Sequence, residues 1–333
     1  MSLPNGFFRL VGPMSRALLF PGQGSQTPGM GKDLAENFAV ARAVYDEVDA
    51  ALGEKLSKVI FDGPEADLTL TANAQPALMA TSMAALRVLE TETGLDLARD
   101  IAFVAGHSLG EYSALASAGA LDVTTTARLL RLRGLAMQKA VPAGVGAMAA
   151  LLGVEPAAAA QYVEQAANAT GEVCGVANDN GGGQVVISGS AAAVARGIEI
   201  AKAAGVKRAV LLPVSAPFHC ALMQPAAEAM AQALAEARIR APLVPVVANV
   251  TAAAVRDPEI IRELLVRQVT ATVRWRESVL FMAAAGVSDA LELGAGKVLT
   301  GLVKRISDTM PVRAIGTKAD VDAFKAAEGA GHV

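Results

Sequence analysis

Ile101-Ala102-Phe103-Val104-Ala105-Gly106-His107-Ser108-Leu109-Gly110-Glu111 is a five-residue apolar run that breaks into glycine, a polar pair and a second glycine. A run of that length suits a buried strand, and the stretch from Gly110 to about Ala118 suits a helix, so the passage reads strand, sharp turn, helix. Gly106-His107-Ser108-Leu109-Gly110 also matches the Gly-x-Ser-x-Gly pattern of a nucleophile elbow, in the context that the pattern requires. At such a turn the serine is held in a tight backbone conformation, flanking glycines remove Cβ clashes, and the helix presents free N–H groups to a developing oxyanion. The five-residue pattern alone would arise by chance in a glycine-rich chain; the strand before it and the helix after it carry the weight.

Upstream, Arg16–Phe20 is a short apolar strand that ends in the turn-rich Pro21-Gly22-Gln23-Gly24-Ser25-Gln26. Helical patterns follow near 33–53 and from Pro76 to Thr93, the second with proline in its first turn and Gly94 as its stop. Downstream, a helix over 123–139 has Asp122 as its cap. Residues 144–214 then give strand 147–154, helix 156–168, strands 173–177 and 184–188, helix 191–204 and strand 207–214. That order is β-α-β-β-α-β, the ferredoxin-like arrangement, with 178–183 as the hairpin loop. The alternation resumes with a helix near 222–238, strand 244–249, helices near 257–268 and 275–285, strand 290–293 and helix 297–306. The order implies an α/β protein: a large discontinuous domain from 15–140 and 215–320, with a small subdomain at 141–214 inserted in its middle. Residues 1–14 read as an N-terminal extension, because the first strand-like run follows Met14 at once.

The composition excludes several function classes. A chain of 333 residues is about twice the common domain size and buries a real core. Lys plus Arg number 29 against 32 Asp plus Glu, a net charge of -3, too balanced for a nucleic-acid binder that relies on a basic face. With 53% hydrophobic residues a long disordered tail is not expected. Mean hydropathy is positive, yet the longest apolar stretches fall short of the ~18–20 residues of a spanning helix. No signal peptide is read, and two cysteines suit a reducing cytoplasm. Cys174, Cys220, His107, His219 and His332 do not form a zinc pattern.

A serine hydroxyl needs a base, for which histidine is the usual choice. His332 lies in a polar tail, and His107 adjoins Ser108 at a turn that directs the two side chains apart. His219 remains, where the last strand of the insert returns to the large domain; its bland alternative is a packed, hydrogen-bonded histidine. No acid between Ser108 and His219 stands out as its orienting partner, since Asp122 reads as a cap and Asp179 as a hairpin residue. A carbonyl or amide serves as well, because the ring N–H needs only an acceptor. At ~100° per residue, Arg133 shares a helix face with Leu129, Leu130, Ala136, Met137 and Ala140, so it points inward. A buried guanidinium keeps its charge and demands an anion: either a protein carboxylate in a structural ion pair or a substrate that carries its own.

Other matches weaken on inspection. Gly294-Ala295-Gly296-Lys297 lacks the spacing of a phosphate loop and the hydroxyl residue after lysine. Gly181-Gly182-Gly183 is a flexible hairpin, and Cys220 beside His219 is a packed thiol.

The ordered motifs Pro21-Gly22-Gln23-Gly24-Ser25-Gln26, Gly106-His107-Ser108-Leu109-Gly110-Glu111, Arg133, the segment ending at His219, and Glu292-Leu293-Gly294-Ala295-Gly296-Lys297 resemble those of malonyl-CoA:acyl carrier protein transacylases. The resemblance spans roughly Ser15 to Thr317 and implies an α/β-hydrolase-like domain with a ferredoxin-like insert. It implies ping-pong transfer: Ser108, activated by His219, takes malonyl from malonyl-CoA and passes it to the phosphopantetheine thiol of acyl carrier protein, supplying fatty acid synthesis. The N–H groups of Gln23 and Leu109 would form the oxyanion hole, Arg133 would clamp the malonyl carboxylate, and the main-chain carbonyl of Gln268 would orient His219. Asn178 and Asn249 fall at near-site asparagines of the family. Phe218 departs from the serine that often precedes the family histidine, resembles malonyl-selective acyltransferase domains of polyketide synthases, and implies a narrowed pocket.

The resemblance implies no cofactor beyond the coenzyme A of the substrate; from charge balance, apolar-run length and cysteine usage, a cytoplasmic monomer with no nucleic-acid or membrane partner is expected. Acyl carrier proteins are acidic, so Lys207, Arg208, Arg274, Arg276, Lys304 and Arg305 are candidates for a docking patch. The competing classes are a serine esterase or thioesterase of related fold, and a non-catalytic acyl-binding or carrier-docking module.

Overall fold

A computed structural model of the chain describes residues 15–330; the expected extension at 1–14, and His332, lie outside the described residues. Ten strands form: β1 Ser15–Phe20, β2 Ile101–Gly106, β3 Gly146–Leu152, β4 Cys174–Asp179, β5 Gln184–Ser190, β6 Arg208–Leu211, β7 Val246–Ala248, β8 Ala253–Val255, β9 Val287–Leu293 and β10 Val312–Ile315. Six of them make one sheet in the order β10-β9-β1-β2-β7-β8, parallel except for β8, which runs antiparallel to β7. The other four make a separate antiparallel sheet in the order β4-β5-β3-β6, with the first and third strands of the unit at its centre. The helices Pro156–Thr170 and Ala191–Ala203 complete this unit as the β-α-β-β-α-β order requires.

The large sheet is covered on both faces, so its central strands read as continuous apolar runs without alternation. Along β1, Leu18 and Phe20 enter the core that holds the helix Thr71–Thr93, while Ala17 and Leu19 enter a second core with Trp275, Val279, Leu299 and Val303. Because β1, β2 and β9 are parallel neighbours, their carboxyl ends open at one edge of the sheet, where ligands of open α/β sheets bind.

Several element boundaries differ from expectation for physical reasons. The helix expected from Pro76 begins at Thr71, so Pro76 lies inside it. The carbonyl of Ala72, which an N–H at position 76 would have satisfied, accepts instead from Arg131 Nη1 at 2.8 Å. The helix expected over 33–53 is two, Lys32–Asn37 and Ala39–Leu52, broken at the extended Phe38. Strand β9 starts three residues earlier than expected because its polar Asp289 is paired across strands, to Arg16 at 2.7 Å and to Arg313 at 2.9 Å. Short elements with little periodicity were not foreseen: the helices Leu56–Asp62, Glu65–Thr69 and Leu97–Asp100, and strands β8 and β10. The helix Lys318–Ala330 carries the α/β order beyond 320. The helix Val123–Lys139 and its Asp122 cap form as expected, the carboxylate accepting from Thr125 N–H at 2.6 Å. No described helix is long and apolar enough to cross a membrane.

Candidate active site

The elbow sits at the carboxyl end of β2. Ser108 has a φ of 54°, a left-handed conformation that costs a non-glycine residue roughly 1–2 kcal/mol. Its surroundings enforce it. The Ser108 N–H donates to Asn249 Oδ1 at 2.7 Å, and Asn249 Nδ2 donates to the Gly106 carbonyl at 2.7 Å. A Cβ at Gly106 would overlap the backbone of Gly110, and one at Gly110 would overlap the carbonyl of Phe20 in β1. Both glycines of the pattern are therefore demanded by close backbone approach.

His219 is also strained, with a φ of 59°. The turn brings its Nε2 to 2.7 Å from Ser108 Oγ, and its Nδ1 lies 2.9 Å from the main-chain oxygen of Gln268. A carbonyl can only accept, so Nδ1 carries the proton and Nε2 presents its lone pair to the serine hydroxyl. Burial, reinforced by the Arg133 charge, pushes the imidazole down to about 3, so it is neutral at physiological pH and competent to take a proton. His107 faces away, as its adjacency to Ser108 predicts: its Nε2 lies 2.8 Å from Asn180 Oδ1, and its ring centroid is 5.7 Å from that of Trp275.

Arg133 is 2% exposed and forms no ion pair among the described residues. Its guanidinium donates to Gln75 Oε1 at 2.7 Å, Gln268 Oε1 at 2.9 Å and Ser108 Oγ at 3.2 Å. Its Nε has no partner among the described residues. The structural ion pair weighed from sequence is thus not present. Amide oxygens satisfy hydrogen bonds without cancelling the charge, so the cation remains available to an anion at the serine. The Ser108 hydroxyl can serve both neighbours, donating to His219 and accepting from Arg133.

Of the other expected residues, Gln268 is fully buried, and its Nε2 donates to the Ser108 carbonyl at 3.0 Å. Leu109 begins the helix Gly110–Ser117, and Gln23 follows β1; among the described residues neither main-chain N–H has a hydrogen-bond partner. Phe218 is buried in the large apolar core. Asn178 is buried in β4 and pairs through its backbone with Val273; its side chain forms no hydrogen bond with Ser108, His219 or Arg133. Cys220 is a packed thiol whose Sγ lies 3.1 Å from the Pro217 carbonyl. Glu292, in the second glycine-rich motif, caps the helix Val298–Ile306, accepting from Leu299 N–H at 2.9 Å and Thr300 N–H at 2.7 Å. Among the described residues no cluster of three or more His, Cys, Asp or Glu could hold a metal.

Four site neighbours carried no signal of their own in the sequence: Gln75, Thr71, Asn180 and Glu111 in its present role. Gln75 and Thr71 belong to the helix turn that the Pro76 boundary cut off. Asn180 lies two residues beyond the asparagine singled out. Glu111 was visible only as the last letter of the elbow motif.

Residues 17–326 match the acyl transferase domain family. The chain is 48% identical over 299 residues, 90% of its length and 95% of the relative, to the malonyl CoA-acyl carrier protein transacylase of Escherichia coli (strain K12). It is 45% identical over 306 residues, 92% and 95% of the two chains, to that of Bacillus subtilis (strain 168). Among solved structures, the acyl-carrier-protein-S-malonyltransferase from Bartonella henselae is 55% identical, with a TM-score of 0.92 over 95% of this chain and all (100%) of that one. A malonyl-transacylase in complex with its type II PKS acyl-carrier protein is 42% identical, with a TM-score of 0.90 over 94% of this chain and 99% of that one.

Proposed function

The chain belongs to the acyl transferase family, and from that membership we propose that it moves a malonyl group from coenzyme A to the phosphopantetheine thiol of acyl carrier protein, as an acyl-carrier-protein S-malonyltransferase of fatty acid synthesis. The reaction proceeds in two half-reactions through a malonyl-serine ester. Ser108 Oγ attacks the thioester carbonyl while His219 Nε2 takes its proton. The C–S bond breaks, and His219 returns the proton to the departing coenzyme A sulfur. The carrier thiol then gives its proton to His219 and attacks the ester, and the proton goes back to Ser108 Oγ as the serine leaves. The free N–H groups of Gln23 and Leu109 receive the oxyanion in each step. Coenzyme A enters as part of the substrate, and the steps call on no further cofactor.

The observation that carries this reading is the buried Arg133 guanidinium, paired with no carboxylate among the described residues and 3.2 Å from the Ser108 hydroxyl. A malonyl carboxylate supplies the missing anion and fixes the carbonyl over the serine. A donor without that carboxylate leaves the cation buried and unpaired, a penalty on the order of 2–5 kcal/mol, so acetyl-CoA is a poor donor. A serine esterase would have no use for a cation at the acyl end.

For the carrier, Arg276 pairs with Asp179 at 2.8 Å and Arg305 donates to Gln184 at 3.2 Å, which places both beside the hairpin that joins β4 and β5. Lys207 and Arg208 lie at the opposite edge of that sheet, on or next to β6. Arg305, which pairs with no carboxylate among the described residues, and Arg276 beside it are the residues we assign to an acidic carrier, and a cytoplasmic monomer is part of the same proposal. Incubation with malonyl-CoA followed by peptide mass spectrometry tests the function: a malonyl adduct on Ser108, released by thiol carrier, is expected. Folded protein that forms no adduct would overturn it.

A further inference from the structure

The mechanism above leaves a buried acid unused. Glu111, in the first turn of the helix Gly110–Ser117, is 2% exposed and forms no ion pair among the described residues. Its Oε2 accepts from Gln268 Nε2 at 2.8 Å and from the Asn249 main-chain N–H at 3.0 Å. Burying a carboxyl among neutral donors is unfavourable for its charged form, and burial pushes this one up to about 7.

What the acid touches explains why it is there. Gln268 touches all three site residues: its main-chain oxygen meets His219 at 2.9 Å, its Oε1 meets Arg133 at 2.9 Å, and its Nε2 lies 3.0 Å from the Ser108 main-chain carbonyl. Asn249 holds the Ser108 N–H and the Gly106 carbonyl, both at 2.7 Å. The two ends of a glutamine amide are alike in shape, so neighbours decide which end faces Arg133. A flipped Gln268 would set its oxygen against the Glu111 carboxyl and its NH2 against the guanidinium. The other amide on Arg133 has the same construction, since Gln75 Nε2 is held from behind by Thr71 Oγ1 at 3.0 Å.

We propose that Glu111 is a positioning residue for acyl transfer: its Oε2 orients the Gln268 amide, which keeps an oxygen on Arg133, and ties that amide to the Asn249 anchor of the elbow. The proposal rests on the malonyl-transfer reading given above. Glu111 touches no reacting atom; it acts through Gln268 on acyl selectivity and through Asn249 on the serine.

The test compares wild type, Glu111→Gln, Glu111→Ala and Glu111→Asp as full-length proteins, using kcat and KM for malonyl-CoA and acetyl-CoA and circular dichroism for folding. Wild type is measured first; absence of malonyl transfer there refutes the function itself, and with it this inference. Given an active wild type, E111Q retains an acceptor oxygen at the same place and stays within about 3-fold of it, whereas E111A lowers malonyl kcat/KM and the malonyl-over-acetyl ratio by at least about 10-fold. E111D, which keeps the acid but withdraws it by a methylene, follows E111A in that ratio and supplies the answer should E111A not fold. An unchanged ratio in the folded E111A or E111D protein, or a folded E111Q as impaired as E111A, overturns the assignment.

Discussion

The main-chain oxygen of Gln268 lies 2.9 Å from Nδ1 of His219, so a peptide carbonyl orients the imidazole that faces the Ser108 hydroxyl. A carboxylate in that place would also stabilise the imidazolium; a carbonyl fixes the tautomer and supplies only a partial charge. Burial, and after it the nearby Arg133 charge, oppose the imidazolium more than the carbonyl favours it, so His219 is held well below its usual range. A weak base suffices for the proposed substrate, a thioester whose leaving group is a stabilised thiolate.

The first consequence concerns pH. His219 has its imidazole pushed down to about 3, so the unprotonated, active form persists far below the ordinary histidine midpoint. Malonyl kcat/KM stays flat on the acid side down to about pH 5 instead of halving near pH 6.5. Stopped-flow acylation across that range checks it; a midpoint at the ordinary histidine value would contradict the buried, arginine-flanked geometry.

Arg133→Ala removes the cation proposed to meet the malonyl carboxylate while sparing the Ser108–His219 hydrogen bond. Malonyl kcat/KM is expected to fall about 100- to 1,000-fold, and acetyl kcat/KM by less than about 10-fold. Equal losses for both donors in competition assays would make the arginine structural.

Asn249→Ala deletes the acceptor of the Ser108 N–H and the donor to the Gly106 carbonyl, both inside a buried turn with positive φ at Ser108. The protein loses about 1–3 kcal/mol for the groups left unsatisfied, read as a lower urea midpoint at constant m-value. Ser108 acylation slows with it, because the strained turn has lost its clamp.

Two glycines separate packing from backbone entropy. Gly110→Ala drives a Cβ into the Phe20 carbonyl, fixed in the central strand, and destabilises by about 1–3 kcal/mol or more. Gly175→Ala in β4 meets nothing within 4 Å, so it is neutral or stabilises by about 0.4–1 kcal/mol. Thermal melts should fall for Gly110→Ala and hold or rise for Gly175→Ala, and equal losses would count against the close approach at the elbow.

The fold was legible wherever a pattern is local. Apolar runs bounded by glycines marked β1, β2 and the four strands of the insert, and the 3.6-residue phase of the helix Val123–Lys139 turned Arg133 inward. Boundaries failed where distant groups compensate a local penalty. Arg131 takes the carbonyl that Pro76 leaves free, and the Arg16 and Arg313 partners of Asp289 let a polar residue lie within β9. Neither compensation has a local signature.

The same division holds at the site. Ser108, His219 and Arg133 could be singled out along the chain because a nucleophile in an elbow, a base among three histidines and an inward cation are each chemically rare. The sequence could also require that something accept the His219 proton and something meet the guanidinium, since buried polar groups need partners. The resemblance named the Gln268 carbonyl for the first; nothing in the sequence named the amide oxygens that meet the guanidinium. Gln75, Asn180 and Asn249 are neutral amides, common in any chain and without characteristic spacing, and the contacts that give them roles cross up to 143 residues of sequence, as between Gly106 and Asn249. Those contacts exist only once the strand ends gather at one edge of the sheet, so only the tertiary structure decided how the reacting groups are held.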